Sequence, residues 1–105
     1  MTAFRFPETE AGADLLEAGE IDRRSRCDEF EFNLNDSVKL RLGFTGSRTL
    51  NAGGRFKASS LHLVIEGLKC ARKDAREPDF LKRIDQLITR CQRSKRDGVS
   101  IFIDW

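Results

Sequence analysis

Between residues 29 and 44 the chain reads EFEFNLNDSVKLRLGF, with apolar and polar positions alternating on both sides of Asn35-Asp36-Ser37. Period-two alternation interrupted by turn-forming residues predicts a β-hairpin. Parity sets the turn. For Phe30, Phe32 and Leu34 to share a face with Val38, Leu40 and Leu42, the loop must hold an odd number of residues. That register places Phe32 opposite Leu40, Phe30 opposite Leu42, and Glu31 opposite Arg41 on the wet face.

The period changes to 3.6 further on. Over 78–96, Phe80, Leu81, Ile84, Leu87, Ile88 and Cys91 form one apolar stripe, which predicts an amphipathic helix. Pro78 suits its first turn, Glu77 and Asp79 suit its positive end, and Lys95, Arg96 and Gly98 mark its stop. After Gly98, VSIFIDW alternates again and predicts a closing strand over 99–104, with Trp105 in phase with its buried side.

Residues 59–75 fit two templates. Leu61, Val64, Ile65, Leu68 and Ala71 follow helical spacing, whereas Leu61, Leu63 and Ile65 alternate like a strand as far as Glu66. Length and the KCARKDA tail favour a helix capped by Ser59 or Ser60, despite an interior Gly67. Nearer the amino terminus, AFRF reads as a short strand limited by Pro7, and ETEAGADLLEAG as a short acidic helix ended by Gly19. The glycine-rich stretch 43–56, with Arg48 and Arg55, reads as a flexible connection and lacks the endings of phosphate-binding loops. These elements predict a small α+β domain spanning 1–105. Its antiparallel sheet, made of the hairpin 29–44 and the strand 99–104, packs against helices at about 59–75 and 78–96.

Composition narrows the class. With 105 residues the chain has room for one modest core, and 39% hydrophobic against 34% charged residues describes a folded polar-surfaced domain. The longest apolar run, Leu63-Val64-Ile65, is far short of a membrane span, and the amino terminus has no basic-then-apolar leader pattern, so a cytoplasmic protein is expected. Cys27, Cys70 and Cys91 are odd in number and widely spaced, which predicts free thiols, two of them buried. With the single histidine, His62, they lack the close pairs of a zinc knuckle, so no metal or cofactor is expected.

Charge divides the chain. Residues 1–36 hold ten acidic and four basic side chains, and residues 37–105 hold fifteen basic and seven acidic. The acidic segment 1–26 either folds against the basic part or stands partly apart as an arm; both fit this pattern. On the last helix, Lys82, Arg83, Arg90, Arg93 and Arg96 form a basic surface, with Asp14, Glu17 and Glu20 as its acidic counterpart. No nucleophile, base and carboxylate share a spacing that catalysis requires, so no enzyme is expected. The reading favoured is a protein-interaction module (an adaptor, inhibitor or immunity-type protein) acting by charged surface complementarity, with a homodimer through a sheet edge as one form of pairing. The alternative is nucleic-acid binding by the basic face, weakened by Asp79 and Asp85 and by the lack of a stacking platform.

Overall fold

The computed structural model describes residues 1–44 and 53–105. Four strands form one antiparallel sheet among these residues: β1 (Thr2–Pro7), β2 (Cys27–Phe32), β3 (Gly54–Phe56) and β4 (Ile101–Asp104), in the order β2-β1-β4-β3. Four helices accompany it: α1 (Glu10–Glu17), α2 (Leu34–Gly43), α3 (Leu61–Asp74) and α4 (Pro78–Asp97). The architecture is the expected α+β domain with an antiparallel sheet. None of these helices is long and apolar enough to cross a membrane.

Alternation within each strand sorts side chains onto two faces. Phe4, Phe6, Phe32, Phe56, Ile101 and Ile103 point into the core, where each is buried. Arg5, Glu29, Arg55 and Phe102 lie on the other face, with Arg5 opposite both Glu29 and Phe102, and Phe102 opposite Arg55. Arg5 Nε meets Glu29 Oε1 at 3.2 Å, and the Arg55 guanidinium lies 5.9 Å from the Phe102 ring centre.

The hairpin expected over 29–44 does not form. Its first half is β2, which pairs with β1 so that Phe32 faces Thr2 and Phe30 faces Phe4. Its second half is helix α2. Asn33 caps that helix, its side-chain oxygen accepting from the Asp36 backbone N–H at 2.9 Å, so Asn35-Asp36-Ser37 is a first helical turn instead of a hairpin loop. The Val38, Leu40, Leu42 alternation has a helical cause. Leu40 and Phe44, with Ser37, turn inward and are buried, while Val38 and Leu42 turn outward. Two apolar faces on one helix counterfeit the period of a strand.

Elsewhere the helical stripes behave as expected, except that Leu81 is only half-buried and lines a surface groove. Leu61, Val64, Ile65, Leu68 and Ala71 of α3 are buried, which removes the strand reading of 59–66. Ser60 occupies the cap position of α3 without a side-chain cap hydrogen bond, after a 3₁₀ turn at Ala58–Ser60. Phe80, Ile84, Leu87, Ile88 and Cys91 of α4 are buried, Pro78 opens the helix, and Gly98 closes it in the left-handed conformation at φ 71°. The connection expected over 43–56 ends earlier, because Gly54–Phe56 adds strand β3 to the sheet edge; Arg48 lies outside the described residues. Trp105 is half-buried, edge-on to Phe4 and Phe44 at 6.2 and 5.4 Å between ring centres.

Residues 1–26, weighed as an acidic arm, supply the inner strand β1, whose Phe4 and Phe6 are fully buried. They also supply α1, capped by the Thr9 hydroxyl accepting from Gly12 N–H at 3.0 Å. Glu10, Asp14 and Glu17 of α1 all contact the Arg55 guanidinium, with Arg55 Nη2 2.8 Å from Asp14 Oδ1. Acidic and basic parts of the sequence therefore meet inside the fold.

Candidate functional site: the outer face of helix α2

The outward side of α2 carries three of the five exposed large hydrophobic side chains among the described residues. Leu34 and Leu42 are each 68% exposed and Val38 is 49% exposed. At about 100° per residue these positions, four apart, fall within about 80° of arc, on the far side from Leu40 and Phe44. A solvated helix normally places charge there; this one carries a ridge of leucine, valine and leucine. The helix cannot roll to bury it. The Thr2 and Ser37 hydroxyls hydrogen-bond to each other in the interior and tie α2 to β1. Gly43 also lies directly against Ala71 of α3, which fixes the crossing of the two helices.

Beside Leu42 the surface falls into a cleft of about 350 Å³ where α2, the end of α3 and the start of α4 converge. Leu42, Gly43, Ala71, Ala75 and Phe80 supply apolar walls. Small residues at 43, 71 and 75 leave the room. Lys39 crosses the rim: its Nζ lies 2.8 Å from Glu77 Oε1, 3.7 Å from Asp36 Oδ1 and 5.1 Å from the Phe80 ring centre. The hydrogen bond to Glu77 is the main cause that raises the Lys39 pKa.

The basic surface expected on α4 is divided in its duties. Arg90 is only 11% exposed. Its Nε meets Asp28 at 3.0 Å, its Nη1 donates to Ser94 Oγ at 2.7 Å, its Nη2 reaches the Phe6 carbonyl at 3.5 Å, and the guanidinium covers the Phe6 ring at 5.0 Å. Arg83 donates to the Glu31 carbonyl of the edge strand β2 and stacks 4.3 Å above Phe32. These two arginines clip α4 to the sheet. Arg93 and Arg96 lie within 4.0 and 3.5 Å of the Asp97 carboxylate. Lys82 forms no ion pair among the described residues, and lines, with Arg93, a shallow groove of about 720 Å³ floored by Phe30 and Leu81. On the acidic side, Asp14 and Glu17 are engaged by Arg55, while Glu20 is exposed.

Among the described residues the thiols and the histidine do not converge. His62 and Cys70 are exposed on α3, Cys27 is half-buried on β2, and Cys91 is buried under α4. One thiol, not two, is therefore fully interior. Burial pushes the Cys91 pKa up to about 12. No group of three His, Cys, Asp or Glu among the described residues is placed to hold a metal ion.

No family model, curated protein or solved structure matches this chain. Sequence reasoning missed α2 as a surface because the hairpin assignment turned Leu34, Val38 and Leu42 inward. The signal was present in their spacing of four, preceded by Asn33 as a cap.

Proposed function

We propose that this chain is a small protein-interaction module that works by surface recognition, and that the outer face of α2 is its docking surface. The observation that carries this reading is the exposed ridge Leu34, Val38, Leu42 running into the apolar cleft beside Phe80. Apolar side chains left in contiguous contact with water disfavour the free state, and their burial against a partner would remove that cost at about 25 cal/mol per Å². The occupant that matches is a polypeptide helix with an apolar ridge, since a convex row of spaced side chains beside a cleft is the relief into which such a helix interdigitates. Charge plays a supporting part here: Lys39 and Glu77 frame the cleft, while Arg83, Arg90, Asp14 and Glu17 spend their charge within the fold.

The test compares capture by three forms of the tagged chain in its host cells: the natural sequence, Leu34→Lys with Leu42→Lys, and Lys82→Glu with Arg93→Glu and Arg96→Glu. A stoichiometric polypeptide, including the chain itself under a second tag, is lost from the α2 form and retained by the α4 form. Equal recovery by all three forms overturns the assignment of docking to α2, and loss confined to the α4 form overturns it in favour of a charge-led surface.

A further inference from the structure

Resting on that reading, we infer that the polypeptide received by α2 is a second copy of this chain, docked with its own α2 antiparallel across a two-fold axis at Val38. The ridge is self-complementary. Leucines stand four residues before and four residues after the central valine, so reversing the helix direction superposes the pattern on itself: Leu34 meets Leu42 of the copy, and Val38 meets Val38. A two-fold interface requires this property of a surface, and a ridge chosen for an unrelated helix has no need of it.

Relief and charge agree with the symmetry. The copy's Leu34 arrives beside Leu42, at the mouth of the cleft walled by Ala71, Ala75 and Phe80, so each chain inserts one leucine and receives one. Around the cleft Asp74 and Glu77 balance Lys39 and Arg76, so two identical surfaces meet without a like-charged field. Antiparallel helices also set opposite macrodipole ends together. The contact is short, since a helix of 10 residues is about 15 Å long. It therefore belongs with small, reversible interfaces, and the dimer forms and dissociates with concentration.

Disulfide trapping distinguishes this geometry from other pairings. In a background of Cys27→Ser and Cys70→Ser, Val38→Cys sits at the two-fold axis and crosslinks to itself under mild oxidation, roughly tenfold or more faster than Arg93→Cys on the exposed face of α4. Leu34→Cys and Leu42→Cys crosslink when mixed and much less when alone. Sedimentation equilibrium shows the natural chain passing from monomer to dimer with concentration, while Val38→Glu, folded by circular dichroism, stays monomeric. A natural chain that remains monomeric throughout, or Val38→Cys crosslinking no faster than Arg93→Cys, overturns the dimer. In that event α2-dependent capture of a different polypeptide would leave the interaction reading standing, and its absence would remove both.

Discussion

Gly43 and Ala71 touch backbone to backbone where α2 crosses α3: a methyl group built on Gly43 would lie 2.5 Å from the Ala71 Cβ and 2.6 Å from its Cα and backbone nitrogen. Neither neighbour can yield by rotating a side chain. The obstruction is the helix itself, so any larger residue at 43 forces the helices apart and disturbs both the cleft and the presentation of Leu42.

Gly43→Ala is therefore expected to destabilise the protein by about 1–3 kcal/mol, the range for overpacking a close contact, even though alanine is the better helix former. Urea denaturation followed by circular dichroism measures this as a lower midpoint with an unchanged slope. A neutral or stabilising result would mean that α2 and α3 are not in contact at this crossing.

The same crossing explains why the fold was only partly legible in the sequence. Elements with one buried face announced themselves: α4 through Phe80, Ile84, Leu87 and Ile88, β4 through Ile101 and Ile103, and α3 through Val64 and Leu68. The α2 segment carries apolar residues on two faces, one for the core and one for solvent, and period alone cannot tell that arrangement from a strand. Strand pairing was equally hidden. Phe30 and Phe32 of β2 pair with the distant β1, and a local rule that pairs neighbours first has no access to that choice. The basic residues of α4 were legible as a surface, but nothing local could show that Arg83 and Arg90 would turn back over Phe32 and Phe6.

Arg90 is expected to behave as a structural residue. Replacing it with methionine keeps the stem but removes its bonds to Asp28, Ser94 and the Phe6 carbonyl, at a cost of about 1–3 kcal/mol. Lys82→Ala and Arg96→Ala, on the exposed side, should each change stability by less than about 0.5 kcal/mol. Equal effects at 82, 90 and 96 in parallel urea titrations would contradict the division of labour on α4.

Thiol labelling offers an independent check on burial. Cys70 is exposed and should react first with a maleimide or disulfide reagent at pH 8, whereas Cys91, interior and with its pKa pushed up to about 12, should react only on unfolding. Cys27, half-buried and with its pKa raised by burial and by Glu29, should follow Cys70 slowly. Intact-mass spectrometry with peptide mapping gives the order. Labelling of Cys91 in the native protein at a rate near that of Cys70 would place the α4 stripe in water.

Acid sensitivity should trace in part to Glu10, which joins α1 to both β3 and the start of β4. Burial acts to raise its pKa, but the Ser100 hydroxyl, the Ser100 backbone N–H at 3.0 Å and the Arg55 guanidinium outweigh burial, and the net result is a lowered value. A carboxyl whose folded pKa lies below its unfolded value binds protons more weakly in the native state. Its stabilisation is fully present above the unfolded value, near 4.3 for glutamate, and is lost as pH falls through the folded value. Glu10→Gln removes the titrating group, so the difference in urea midpoint between it and the natural chain should be constant near pH 7 and should shrink steadily below about pH 4. Asp14 and Glu17, one and two turns along α1, also face Arg55 and soften the change by sharing its charge. A midpoint difference that stays the same from pH 7 down to pH 3 would show that Glu10 is not held as an ionised acceptor against Ser100 and Arg55.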